Sequence, residues 1–460
     1  MKIKRFFKTL MIFFTGNVLS KLVSFILLPL YTSALVPEQY GTFDLVMSFI
    51  NLIAPIAFLQ IWDGMFRFSF DCLDNHDKYK TINNAIMVFF VGIIVYTLLF
   101  SSISLFLKIE YFIYALIYGF IFAVQYMYSF SSRVFLKNKL FVFSGVANTL
   151  ITAILNVVLI IAYKWDVKAL YVSHIIGTLF QIIIMEIGLK LIKNFSFKSW
   201  EKKLVVKMIR FSFPLCIATV SYWLLSGFTK MIIYYQLGPA ANGLYAVANK
   251  FASTITILIT VVQYAWNEAA YLMAQDNDRT KSYELCIDLI LKSVCFGSII
   301  LCLLIKIIFP YFIDSQYAAA VNIIPATIIG VAVNSVAGFL GTLFMTEKDT
   351  GYIMISTLIS AGINIILGIA ACFWVGLNGV VIALALAFSI LMILRLIKLI
   401  KAYHIRVDWK NILLIVFLAF GICAFYLCDS ILNIIICLLY SGIYLISIKK
   451  YLKPLLKLKR

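Results

Sequence analysis

Residues 149–162 read TLITAILNVVLIIA, and residues 357–370 read TLISAGINIILGIA. Eight of fourteen positions are identical at a shift of 208, with Asn156 falling on Asn364. A second match has a shift of 202: Pro37, Gly41 and Phe43 of VPEQYGTF fall on Pro239, Gly243 and Tyr245 of GPAANGLY. Apolar segments share few letters, so one match can arise by chance. Two matches in the same order, at nearly the same shift, indicate a duplicated architecture.

The duplicated element is a set of membrane helices. Of 460 residues, 63% are hydrophobic and 13% charged, against about 45–50% and about 25% in soluble domains. Mean hydropathy is +1.01. A spanning helix needs about 20 apolar residues. Apolar runs between turn signals predict fourteen, at 8–35, 43–68, 82–107, 111–131, 142–163, 168–192, 208–236, 243–272, 284–309, 318–346, 350–374, 377–401, 411–428 and 431–448. The fold class is therefore an all-α polytopic membrane protein. With no long hydrophilic stretch there is no room for an extramembrane catalytic domain, and no G-x-x-x-x-G-K-[ST] loop is present for nucleotide hydrolysis. The nine cysteines show no ligand spacing and sit mostly in apolar segments, where Cys acts as a small hydrophobe.

The net charge of +19 lies in loops and at the termini, which points to orientation and anionic lipid, not to nucleic acid. With a cytoplasmic N-terminus, 31 of the 39 Lys+Arg fall on inner segments, while Lys108, Lys164, Lys168 and Lys306 fall outside. Both termini are thus expected to be cytoplasmic. The basic start and the apolar run from Leu10, without an A-x-A-like site, read as an uncleaved first helix. The repeat shift spans six helices, an even number, so the repeats are parallel and related by an axis along the membrane normal. The expected organisation is a six-helix lobe at 1–193, a basic cytoplasmic linker at 194–207, a second six-helix lobe at 208–401, and helices 13–14 with a basic tail at 402–460. Such repeats place a substrate path between the halves, near the midplane.

Charges at membrane depth are functional candidates by default, with snorkelling near helix ends as the plain alternative. Lys21 lies mid-helix, with Asn17, Ser24 and Tyr31 on the same face. Lys230, with Thr219, Tyr222 and Ser226 at helical spacing, and Lys250 lie nearer the outer end of their helices. In helix 8, Asn249, Ser253, Thr256, Thr260, Gln263 and Asn267 form one polar stripe flanked by Lys250 and Glu268, either a wet lumen or a helix–helix seam. Asp63 with Arg67, and Glu186 with Lys190, are four apart; each is either a local ion pair or a carboxylate that binds a coupling proton or cation. His174 reads as a packed histidine, and Lys198, Lys202 and Lys203 as a solvated topology signal. Several lysines without matching carboxylates would attract an anion, and lysine binds phosphate as a point charge.

The stretch GNVLSKLVSFILLPLYTSALVPEQYGTFDL (Gly16–Leu45), and Gly376, Leu377, Asn378 and Gly379 before a small-residue helix, resemble Wzx-type polysaccharide-unit flippases of the multidrug/oligosaccharidyl-lipid/polysaccharide (MOP) exporter superfamily. The resemblance runs along the whole chain. It implies a V-shaped pair of lobes with alternating access, no catalytic residue and no cofactor. The implied cargo is an undecaprenyl-diphosphate-linked oligosaccharide moved to the outer leaflet of the bacterial plasma membrane. The implied partners are membrane lipids and other polysaccharide-assembly membrane proteins. Lys21 matches a basic position of related flippases, and Lys21, Lys230 and Lys250 are the expected diphosphate-binding residues. The drive is a proton or sodium gradient or the membrane potential. Rival readings are a multidrug/cation antiporter of the same superfamily, which calls for a lumen richer in acidic and aromatic groups, a membrane polymerase, which needs a long outer loop, and a scaffold, which leaves the helix 8 stripe and Lys21 without a role.

Overall fold

The computed structural model describes residues 22–23, 25–72, 74–106, 109–273, 279–346, 349–406, 408, 411 and 413–457, with side chains placed except at 106, 257–282, 345–346, 350 and 448–457. The described residues form fifteen α-helices and no strand. Eleven helices are long and apolar enough to cross a membrane. The chain is a multi-pass membrane protein. Its helices carry large apolar side chains outward, such as Leu105 and Trp374 at 83% and 87% exposure, while Asn84, Asn156, Asn242 and Asn364 are buried. This inversion of the soluble pattern suits lipid, where polar groups gain by meeting one another between helices.

The residues pack as two compact units. The first holds the described residues up to Leu35 together with Thr42–Trp223. Its helices are α1 (Leu28–Ala34), α2 (Pro37–Ala57), α3 (Ile61–Ser69), α4 (Asn75–Phe106), α5 (Phe112–Val134), α6 (Asn138–Val157, extended by a π turn at Val158–Ala162), α7 (Lys168–Leu189) and the first part of α8 (Lys202–Leu237). The second unit holds Val36–Gly41 and everything from Leu224. It contains α9 (Pro239–Met273), α10 (Arg279–Phe312), a 3-10 stretch at Ser315–Ile323, α11 (Ile324–Thr346), α12 (Thr350–Val375), α13 (Leu377–Tyr403), α14 (Leu413–Leu427) and α15 (Ser430–Lys457). This division falls inside α8. The cause is packing: Cys216 and Ser212 of α8 bond into α2 and α3.

Two predicted boundaries move for one reason. Residues 37–42 and 239–242, read as turns, are the first helical turns of α2 and α9. Proline at N1 lacks only an N–H that would have no partner there, and its fixed φ suits the helix. In the second unit these two turns meet reciprocally. A Cβ on Gly41 would stand 2.0 Å from the Pro239 carbonyl oxygen, and one on Gly243 would stand 2.1 Å from the Pro37 carbonyl oxygen. Asn242 donates from Nδ2 to the Gly41 carbonyl at 2.7 Å.

The predicted helix 43–68 is broken. Pro55 lies inside α2, and the chain turns left-handed at Leu59 (φ 53°) and Gln60 (φ 43°) before α3 begins. Each such residue costs about 1–2 kcal/mol. Contacts from α8 offset that cost. The Thr219 hydroxyl donates to Gln60 Oε1 at 3.3 Å, and the Gly64 N–H donates to Ser212 Oγ at 3.0 Å.

The repeat is visible in what its asparagines do. In the first unit Asn156 donates to the Tyr31 hydroxyl at 2.9 Å and accepts from Ser173 Oγ at 2.7 Å. In the second, Asn364 donates to the Leu225 carbonyl and to Thr229 Oγ1, both at 2.9 Å. Each ties the fifth helix of its repeat to the first. At Gly376 φ is 67° and ψ −140°, a region open essentially to glycine alone, which accounts for the glycine ahead of α13.

Candidate functional site

Lys21, Asn17 and Ser24 lie outside the described residues. Tyr31, expected beside them on a cavity face, instead turns into the first unit and is buried. On α9, Asn249, Lys250, Ser253 and Thr256 are all half-buried. Ser253 Oγ donates to the Lys250 carbonyl at 2.7 Å and Thr256 Oγ1 to the Ser253 carbonyl at 2.6 Å. The hydroxyl protons are thereby taken up by the helix itself, and the oxygens keep acceptor capacity. The side chains of Thr260, Gln263, Asn267 and Glu268 lie outside the described set. Lys230 is half-buried on α8. Measured along the helix axes from the turn at Gly238, Lys230 and Lys250 lie about 12 and about 18 Å deep.

Neither Asp63 nor Glu186 makes the local ion pair that its spacing allowed. Arg67 pairs with Asp71 at 2.7 Å, not with Asp63. Both members are more than half exposed, so the pair contributes at most about 1 kcal/mol. Asp63 sits in the first turn of α3 and feels the charge of Arg133 on α5. Glu186 makes no pair with Lys190, which is the left-handed cap of α7. Its oxygens accept from the Tyr128 hydroxyl at 2.9 Å and from the Leu191 and Ile192 N–H groups at 2.9 and 3.1 Å. That arrangement closes a helix end. His174 lies between the rings of Phe43 and Tyr118, at 6.0 and 5.5 Å.

The basic loop after α7 is tied down along its length. Asn83 donates to the Asn194 carbonyl and to Ser199 Oγ, Asn84 donates to the Ser199 carbonyl and accepts from the Glu201 N–H, and Lys80 pairs with Glu201 at 2.8 Å. It is more than a solvated charge signal.

Sequence reasoning passed over four sets of groups. Arg395, counted among inner-loop charges, is 5% exposed. Its guanidinium donates to the Ala337 carbonyl at 2.5 Å, Ser356 Oγ at 3.2 Å and Thr357 Oγ1 at 3.1 Å, which joins α11, α12 and α13. Lys292 and Asp288 form a largely buried 2.7 Å ion pair within α10. Lys306, counted on the outer side, reaches from α10 to the carbonyls of Phe425 and Cys428 at the C-terminal end of α14, where the helix dipole favours a cation.

The fourth set lines a cavity of about 360 Å³ inside the first unit, between α5, α6 and α7. Its wall on α5 carries Tyr118, Phe122, Tyr126 and Phe130 in one row and Gln125, Ser129 and Arg133 in the next. The four-residue spacing places each row along one face. Opposite stand Asn148 of α6 and Thr178 of α7. The alternation of aromatic and polar positions was legible at 118–133, though nothing in it marks a concave surface.

The family model described as "Polysaccharide biosynthesis protein" matches residues 6–266. A search of the curated proteins finds no significant match. Among solved structures, the chain is similar to an inward-facing multidrug resistance MATE family transporter of the MOP superfamily, with 13% identity, TM-score 0.67, and 82% of this chain and 92% of that chain covered. It is also similar to the lipid II flippase MurJ in an inward closed conformation, with 16% identity, TM-score 0.64, and 97% and 100% covered. A third likeness is to the Vibrio cholerae MATE transporter VcmN, with 12% identity, TM-score 0.58, and 87% and 97% covered. The fold is the one seen in these MATE and MurJ structures.

Proposed function

The chain belongs to the polysaccharide biosynthesis protein family, and from that premise we propose that it flips an undecaprenyl-diphosphate-linked oligosaccharide across the bacterial plasma membrane by alternating access. Membership of a family with flippase and transporter folds supports a membrane flippase; the cargo is the reading advanced here. The observation that carries it is the pair Lys230 and Lys250, ammonium-bearing, half-buried and set deep in apolar helices. A charge held at such depth is costly without a role. Lys21, Lys230 and Lys250 are the residues assigned to the diphosphate, and the half-buried Asn249, Ser253 and Thr256 lie on the same helix as Lys250. Six-helix lobes at 1–193 and 208–401, cytoplasmic termini and a proton or sodium gradient as the drive belong to the same reading.

The test is complementation of a strain lacking its own flippase, at matched expression. Lys21→Ala, Lys230→Ala and Lys250→Ala should each abolish or strongly reduce surface polysaccharide, with Arg substitutions recovering part of it. Full activity of all three Ala variants would remove the diphosphate assignment. Export of lipophilic cations, with no effect on polysaccharide, would move the chain to the antiporter reading.

A further inference from the structure

The cavity inside the first unit has a chemistry distinct from that of the lysines. We propose that it is a saccharide-recognition subsite, which takes one sugar ring of the cargo through its apolar face and hydroxyl edge. The inference rests on the flippase reading above and deepens it by naming where selectivity for the sugar arises.

Sugar rings present C–H groups on their faces and hydroxyls around their edges. A matching site needs a flat aromatic wall beside fixed amides and hydroxyls. The α5 wall meets the first need. Tyr126 and Phe130 lie 6.4 Å apart and nearly parallel, at 22°, and form the flat stretch, while Phe122 stands edge to face against Tyr126, at 4.8 Å and 65°. The polar row meets the second. Gln125 donates to Ser129 Oγ at 3.1 Å. Across the cavity Asn148 donates to Gln181 Oε1 at 2.7 Å and accepts from Thr152 Oγ1 at 3.1 Å. Amides held in this way have their orientation set before a ligand arrives, which lowers the ordering cost of binding.

Charge argues for a neutral ligand. Arg133 lies over the rings of Phe66 and Phe130, at 4.6 and 5.3 Å, and interacts with Asp63. A lipophilic cation would meet the guanidinium, and the interaction of that guanidinium with Asp63 lessens its pull on a phosphate. A volume of about 360 Å³ is at the small end of ligand pockets, about 300–1,000 Å³. It suits a sugar residue and is too small for a polyprenyl tail.

The experiment uses the full chain in lipid nanodiscs, with neutral methyl glycosides of hexoses, 6-deoxyhexoses and N-acetylhexosamines as probes. Trp62, whose ring lies 5.1 Å from that of Tyr126, gives a fluorescence report. At least one glycoside should bind saturably. Gln125→Ala and Asn148→Ala should each weaken it by about 10-fold, the effect of one lost hydrogen bond. Tyr126→Phe should retain binding, and Tyr126→Leu, which keeps an apolar side chain without the ring face, should lose it. In liposomes, Asn148→Ala should narrow the preference between two lipid-linked oligosaccharides that differ in one sugar. Absence of glycoside binding, unchanged affinity in the variants, or binding of tetraphenylphosphonium in place of glycosides would each overturn the subsite. If the wild type moves no lipid-linked oligosaccharide at all, the flippase reading itself fails; if it does and Asn148→Ala keeps the wild-type preference, the subsite alone fails.

Discussion

The two units solve the same packing problem with different chemistry. Near the C-terminal end of the sixth helix of each repeat, a charged side chain reaches the fourth helix: Glu186 meets Tyr128 in the first unit, and Arg395 meets the Ala337 carbonyl in the second. The asparagines repeat the lesson. Asn156 Oδ1 accepts from Ser173, whereas Asn364 Oδ1 is buried without a hydrogen-bond partner among the described residues. At the 208 shift, Ser173 falls on Val381, which is buried and has no donor to give. Duplication has preserved where the chain crosses itself and left each half to find its own polar contacts. Lys230 and Lys250 are in one half, and the aromatic cavity is in the other.

The largest expected effect tests the charged clamp. Arg395→Ala removes charge-assisted bonds to two neighbouring helices and should lower the stability of the second unit by about 3 kcal/mol or more, read as a fall in thermal midpoint in detergent. Arg395→Lys should recover little, because a single ammonium cannot reproduce the planar fork. Loss of midpoint with Arg395→Ala equal to that of an exposed substitution would show that the two units do not differ in this way.

Next comes the reciprocal glycine contact. Gly41→Ala and Gly243→Ala each drive a methyl into a backbone carbonyl and should each cost about 2 kcal/mol. Unequal losses would show that the contact is less symmetrical than its distances. A smaller pair of changes exchanges the asparagine partners. Ser173→Val should destabilise by about 1–2 kcal/mol through the orphaned Asn156 carbonyl, while Val381→Thr should be neutral or stabilising by up to about 1 kcal/mol. The two substitutions, placed in separate units, should add.

The smallest effect is pH-dependent. The Lys80 ammonium bonded to Glu201 holds that carboxyl below its ordinary value of 4.5. A depressed folded-state value means that the contribution is complete above 4.5 and is lost as pH falls through the lower, folded-state value. Hydrogen exchange over residues 194–201 should therefore quicken on acidification, and Glu201→Gln should remove that dependence.

Most of the helical plan could be read from hydropathy, because lipid leaves little choice about where a helix of about 20 apolar residues goes. What was not legible depended on neighbours. The break after Pro55 needs partners supplied by α8 more than 150 residues away. Arg395 and a snorkelling arginine look alike in sequence, since burial was decided by carbonyls on other helices. Arg67 had carboxylates four residues away on both sides, and only the inward turn of Asp63 settled the choice. The cavity escaped notice because an aromatic row on a membrane helix is ordinarily a lipid-facing surface.

The clamp on residues 190–201 has a practical consequence for anyone mapping which side of the bilayer this chain faces. Trypsin cuts where a segment can peel away into an extended form, and the frequency of such opening sets the rate. A lysine-rich connection sewn to α4 by Asn83 and Asn84 will resist digestion even from the compartment it faces. Protection there reports hydrogen bonding, not sidedness. A thiol placed at exposed Lys193 or Lys198 for impermeant labelling would give the answer that proteolysis obscures.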